Sequence, residues 1–226
     1  MKKKLSFQEK WALLTKYENK SVSTKKHIKI ISVFANDKDA LIRGRCAKLL
    51  ANASTSKAKH VLLTLACDKD ALVRTDAYDS LSGFPSKNVQ KFLKHAIIHE
   101  SNALARSYAI LSWVDITQTL GVRKKQEKFL KQLKKLPNMK KSEHCMLSFY
   151  YAKCLFGHKK SLKKLLAFLH SPDYQIRCST LNVLQDIASP ENRQYIEPSL
   201  EQLLQQDVCA SVSENAKELL QYIKTI

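Results

Sequence analysis

A repeated spacing of apolar and polar positions organises this chain. The phrase DKDALIRGRC begins at Asp37, and the similar phrase DKDALVRTDA begins at Asp68. When the arginine of each phrase is numbered zero, apolar or small residues recur at −1, +3, +7 and +10, which share one face of a helix. The same frame fits five times, with position zero at Arg43, Arg74, Arg106, Arg177 and Ser213. Each copy therefore predicts an amphipathic helix with one buried stripe.

A further helix-period segment precedes each of these helices. These segments span residues 23–35, 56–67, 86–98, 122–136, 159–169 and 191–204, and a degenerate copy of the phrase without arginine spans 142–155. The pattern predicts six helix pairs after an N-terminal helix near residues 6–18. We expect one domain over residues 1–226, with an N-terminal helix cap at 1–22 and repeats at 23–53, 56–83, 86–119, 122–156, 159–188 and 190–226.

The phrase D-x-x-[VI]-R-x-x-[small]-x-x-x-[large], repeated in register, resembles HEAT repeats from residue 23 to the C-terminus. The resemblance implies an all-α fold: a right-handed α-α superhelix, or HEAT-like solenoid, of about six helix pairs plus the N-terminal helix. It also implies that the second helices line the concave side, and that the aspartate and arginine of the phrase form a ladder between repeats. The predicted ladder residues are Asp39, Arg43, Asp70, Arg74, Arg106, Asp173 and Arg177. Each aspartate also stands where a helix N-cap belongs. The departures from the pattern are the degenerate fourth copy, Ser213 in place of arginine, and Pro198 within the last first helix.

The formal charge of +19 is concentrated in two blocks of the chain. Residues 1–60 carry fifteen Lys and Arg against four Asp and Glu, and residues 121–170 carry fourteen against two. Such blocks attract nucleic acid, anionic lipid or an acidic protein, or they form a solvated face that keeps the array soluble. The candidate anion-binding residues are Lys124, Lys125, Lys128, Lys131, Lys163 and Lys164.

The composition gives little material for catalysis. There are four glycines in all, with no Gly-rich phosphate loop and no nucleophile motif. His95 and His99 share a helix face at i,i+4, but that face also carries Lys91 and offers no third ligand. We therefore expect no metal, no cofactor and no enzymatic activity. The six cysteines form no C-x-x-C pair, and no segment approaches the length of a membrane span, so a cytoplasmic protein is expected.

One surface of the second helices is predicted to face solvent, since positions −2, +1 and +5 lie opposite the buried stripe. The candidate partner-binding residues on this concave face are Leu41, Lys48, Leu72, Thr75, Asp79, Leu104, Ser107, Leu111 and Asn182. The full row, which also includes Glu214 and Glu218 of the last copy, holds one lysine and three acids, whereas a face that binds nucleic acid should be rich in Lys and Arg.

We therefore predict a non-catalytic scaffold that binds a partner protein or peptide. The alternative is a nucleic-acid-binding protein that uses the basic blocks. A family of alkylpurine DNA glycosylases is also built from HEAT-like repeats, and Trp113 with Asp115 is the pair that would match its site residues; however, the frame places Trp113 in the core.

Overall fold

The structure, a computed structural model, describes residues 5–18 and 25–226. Residues 1–4 and 19–24, which belong to the predicted N-terminal cap and first repeat, lie outside the described residues. The described α-helices are α1 (Phe7–Glu18), α2 (Lys25–Phe34), α3 (Ala40–Leu50), α4 (Ser56–Leu65), α5 (Ala71–Leu81), α6 (Lys87–His99), α7 (Ala103–Thr119), α8 (Arg123–Leu133), α9 (Glu143–Leu155), α10 (Ser161–Leu166), α11 (Tyr174–Ile187), α12 (Pro190–Gln206) and α13 (Ala210–Thr225). Short 3-10 turns cover Met139–Lys141 and Ala167–His170, and no strand occurs among the described residues.

The predicted all-α, HEAT-like fold is confirmed, and the buried stripe explains why these segments are helices. In the first copy, Ile42, Cys46 and Leu50 have no exposed surface, as the −1, +3 and +7 positions require. The +7 residue of the third copy, Trp113, is likewise fully buried. Because one helix pair cannot bury such a stripe alone, each pair depends on its neighbours for its core.

The chain forms two compact units, Met1–Arg123 and Lys124–Ile226. In the first unit, the second helices α3, α5 and α7 pack side by side, while α1 packs against α2 and α3. In the second unit, the second helices are α9, α11 and α13, and the first helices α10 and α12 pack against each other. The degenerate fourth copy forms α9 without the arginine of the phrase.

Four of the predicted ladder residues are arginines, and three of them pair with an acid of the next repeat. Arg43 donates two hydrogen bonds to the Asp68 carboxylate at 2.6 and 2.7 Å. Arg74 binds Glu100 in the same two-bonded manner at 2.8 and 2.7 Å. In the second unit, Arg177 binds Asp207. Each arginine therefore joins its own second helix to the loop before the next one.

The acid that completes the ladder is not the predicted one. Asp39, Asp70 and Asp173 cap α3, α5 and α11, each accepting a hydrogen bond of 2.8 Å from a first-turn amide. They make no hydrogen bond to arginine in the described part of the chain. The acid that binds each arginine stands two residues before the N-cap of the next second helix. Arg43 also donates to the loop carbonyls five and six residues before it, and these bonds hold its guanidinium beside the loops. Arg106 likewise donates a hydrogen bond to the carbonyl oxygen six residues before it, that of Glu100.

The ladder pairs change the pKa values of their acids. The hydrogen bond from Arg43 lowers the pKa of Asp68, and this outweighs the opposing effect of burial. Burial raises the pKa of Asp207, but the hydrogen bonds from Arg177 and from the Cys209 amide leave that pKa below its ordinary value. These carboxylates are consequently ionised in the folded protein at neutral pH.

Candidate functional site

A groove of about 270 Å³ lies between α1, α3 and α5 in the first unit. Leu41 and Leu72, which occupy the same −2 position in consecutive repeats, line this groove, and each side chain is 61% exposed. Both leucines lie in the first turn of their helices, two residues after the capping aspartates Asp39 and Asp70. The caps fix the first turn, so the frame directs the −2 position away from the core. The structure thus places two large apolar side chains of neighbouring repeats in one groove.

One wall of the groove comes from the N-terminal helix α1. The Arg45 guanidinium lies 4.0 Å from the centre of the Trp11 ring. It also forms an ion pair with Glu18 at 2.8 Å and a hydrogen bond with Thr15 at 3.0 Å. These contacts hold α1 against α3. The sequence pattern did not reveal this wall, because contacts between residues 27 to 34 positions apart follow no periodicity. The one available signal was an arginine outside the ladder position.

Four charged residues line the groove, namely Arg45, Lys48, Asp70 and Asp76, and the carboxylate of Asp76 is partly buried. Burial raises the pKa of Asp76, although the Lys48 ammonium, 3.4 Å away, acts in the opposite direction. Gly44 allows α3 to approach this carboxylate, since a Cβ at Gly44 would lie 2.7 Å from Asp76 Oδ2. The groove therefore combines two exposed leucines with a carboxylate that is only partly neutralised.

The predicted solvent-facing row is wrong in part. Leu41, Leu72, Lys48 and Asp79 are exposed, and Leu104 and Leu111 are half-buried. Thr75 and Ser107, however, are only 6% and 4% exposed. The reason is that α3, α5 and α7 pack side by side, so position +1 faces the neighbouring second helix. The hydroxyls of Thr75 and Ser107 are satisfied within their own helices by the carbonyls of Ala71 and Leu104.

The remaining predicted residues lie in the second unit. Asn182 is exposed and lines a small hollow of about 80 Å³ between α11 and α13, together with Gln185 and Glu218. The candidate anion-binding lysines are all exposed, on α8 (Lys124, Lys125, Lys128 and Lys131) and α10 (Lys163 and Lys164). On α8, Phe129, Leu130 and Leu133 form the buried side.

The residues considered for other activities do not form a site. Trp113 is fully buried in α7, so its ring is not available to stack on a base. The ring centres of His95 and His99 are 4.3 Å apart and the rings are tilted by 40° to each other, and no group of three potential metal ligands occurs within residues 5–18 and 25–226. Nor is any helix in those ranges long and apolar enough to cross a membrane.

These features define an all-α HEAT-like repeat protein. Residues 29–112 match the family model for HEAT repeats, which confirms the resemblance inferred from the repeated phrase. A search of curated proteins gave no match by sequence.

Solved structures share the fold at low sequence identity. A chain in the complex of CpcE and CpcF of phycocyanin lyase from Nostoc sp. PCC7120 is 14% identical, with a TM-score of 0.61 over 98% of this chain and 96% of that chain. YibA from Escherichia coli is 17% identical, with a TM-score of 0.55 over 99% and 78% of the two chains. Human deoxyhypusine hydroxylase in complex with glycerol is 16% identical over 99% and 92%, with a TM-score of 0.46.

The comparison corrects one prediction. The absence of nucleotide and nucleophile motifs led to the expectation that the protein is not an enzyme. That expectation is corrected, because a chain in a phycocyanin lyase complex has the same fold with a TM-score of 0.61.

Proposed function

We propose that this protein binds a segment of a partner protein in the groove between α1, α3 and α5, on the face of the second helices that the resemblance predicts to be concave. The observation that carries the proposal is the pair Leu41 and Leu72, both 61% exposed and both lining one groove. Two large apolar side chains held side by side at the surface are typical of a protein-interaction site, whereas isolated exposed leucines are not.

The charge of the groove indicates the chemistry of the partner. Asp76 has a raised pKa because it is partly buried, and Lys48, its nearby cation, has a side chain that is 69% exposed. Exposed ion pairs contribute little, so this carboxylate would gain from a second cation. The partner segment should therefore present apolar side chains to the two leucines and a lysine or arginine to Asp76.

The proposal is tested with a tagged protein and an extract of the cells that produce it. We expect Leu72→Asp to reduce recovery of the partner at least about fivefold, because it places a charge against apolar partner side chains. The matched control is Val33→Asp on α2, where the replaced side chain is 66% exposed but lies outside the groove. Equal recovery by wild type, Leu72→Asp and Val33→Asp, measured by quantitative mass spectrometry, would refute the proposal.

A second candidate function follows from α8. Lys124, Lys128 and Lys131 are exposed and recur at helical spacing opposite the buried Phe129 and Leu133. Such a row can contact successive phosphates of a nucleic acid. We expect a mobility shift of duplex DNA or RNA at low salt that weakens when these three lysines are replaced by glutamine. Absence of any shift at low salt would eliminate this candidate.

A further inference from the structure

A second hollow, larger than the groove, lies between the first helices α10 and α12 in the second unit. It is open to solvent and has a volume of about 590 Å³, within the range of about 300–1,000 Å³ that is typical of small-molecule sites. Its apolar wall consists of Leu162, Leu166 and the ring of Tyr195, of which Tyr195 is 56% exposed. We refer to this hollow as the α10/α12 cleft.

The polar groups of the α10/α12 cleft are mainly cationic. Lys159, Lys160 and Lys163 line it, together with the single carboxylate of Glu191. The pKa of Glu191 is lowered, chiefly by a hydrogen bond with Ser189 and also by the charge of Lys159. Within the described part of the chain, Lys160 and Lys163 have no ion pair. Two ammonium groups beside an apolar wall are therefore not ion-paired, although the carboxylate of Glu191 lines the same cleft.

We propose that the α10/α12 cleft binds a small amphiphilic anion, with an apolar or aromatic body against Leu162, Leu166 and Tyr195 and a carboxylate, phosphate or sulfonate between Lys160 and Lys163. A flat lysine-rich surface would attract any polyanion, but it would not enclose an apolar body. The size of the cleft and its apolar wall are what select a small amphiphile. The site is separate from the proposed partner groove, which belongs to the first unit.

The test uses a matched pair of fluorescent probes on the full chain. Anilinonaphthalene sulfonate carries an aromatic body and one negative charge, whereas phenylnaphthylamine has the same kind of body without the charge. We expect Lys160→Gln/Lys163→Gln to raise the Kd of anilinonaphthalene sulfonate about fivefold, since each exposed charge contact contributes modestly. The Kd of phenylnaphthylamine should change less than about twofold.

Two further variants separate the site from general effects. Lys124→Gln/Lys125→Gln on α8 removes the same net charge at exposed positions that do not line the cleft, so it should leave both Kd values unchanged. Tyr195→Ser should weaken both probes, because it removes part of the apolar wall. Raising the salt concentration should weaken the sulfonate alone, since salt screens exposed charges.

Three outcomes would overturn the proposal. They are failure of both probes to bind, equal Kd values for the charged and uncharged probes, and an equal effect of the α8 and α10 lysine variants on the sulfonate. None of them bears on partner binding by the groove, which is measured with Leu72→Asp.

Discussion

The groove of the first unit and the α10/α12 cleft of the second are both hollows between helices of neighbouring repeats, yet their chemistry is opposite. The groove lies on second helices and combines leucines with Asp76, a partly neutralised carboxylate. The cleft involves first helices and combines an apolar wall with Lys160 and Lys163, which form no ion pair among the described residues. Stacking of repeats thus produces hollows wherever side chains diverge, and the residues outside the core frame decide what each hollow can bind.

This difference explains why the net charge of +19 is a poor guide to partners. The frame positions −1, +3, +7 and +10 are committed to the core, so charge accumulates at the other positions. In the second unit, lysines lie on α8 and α10, both first helices, whereas the predicted solvent-facing row on α11 and α13 holds no lysine and two acids, Glu214 and Glu218. Each face must therefore be judged by its own residues.

The largest effect is expected from the ladder that sets the spacing of the second helices. Arg43→Met would leave Asp68, whose side chain is 11% exposed, without its counter-charge and would remove the hydrogen bonds to the carbonyls of Asp37 and Lys38. Losing one partner of a buried pair is strongly destabilising, so we expect the free energy of unfolding to fall by about 3 kcal/mol. Urea unfolding followed by circular dichroism measures it.

The same measurement on the second unit tests whether the ladder contributes equally to the stability of the two units. Arg177→Met removes the equivalent pair with Asp207 and should have a similar effect. The control is Arg193→Met, which removes a more exposed i,i+4 pair with Glu197 and should change stability by less than about 0.5 kcal/mol. Equal losses in the Arg43, Arg177 and Arg193 variants would show that the ladder has no special role.

A smaller effect on stability is expected when the pH is lowered. The pKa values of Asp68 and Asp207 are lowered in the folded state, so their contribution to stability is present above the ordinary carboxylate pKa of about 4 and is lost as the pH falls through the lowered values. Thermal unfolding should therefore shift to lower temperature on acidification. Asp68→Asn should reduce this pH dependence; a slope identical to that of the wild type would contradict the assignment.

Much of the fold could be predicted from the sequence, because the apolar frame is local and periodic. The predicted first helix at 56–67, for example, corresponds to α4 at Ser56–Leu65. The errors arose from contacts that the frame does not encode. Thr75 and Ser107 were expected at the surface. A second helix, however, packs both against first helices and against the neighbouring second helices, so its buried side is wider than one stripe.

The candidate site shows the same limit. Leu41, Leu72 and Lys48 could be identified from their positions in the repeat. Trp11 and Asp76 could not, since the former belongs to α1 outside the repeat frame and the latter lies two residues after Arg74, where no rule predicts function. The ladder acid Asp68 stands in the repeated phrase, but the sequence pattern predicted the ladder acid two positions later, at the N-cap residue Asp70.

The smallest effect on stability is expected from replacing Lys48 beside Asp76. This replacement tests directly the difference in chemistry between the groove and the α10/α12 cleft. The pKa of Asp76 is raised, mainly by burial, and that of Glu191 is lowered, mainly by the hydrogen bond with Ser189. Lys48→Met should raise the pKa of Asp76 further, because Lys48 acts against the effect of burial, and it should change stability by less than about 0.5 kcal/mol. Carbon-detected NMR titration of the carboxyl groups measures both values, with Lys57→Met on α4 as a control that should leave both carboxylates unchanged. If Asp76 titrated below the ordinary carboxylate range, its charge would already be satisfied, and the groove would have no need of a cationic partner.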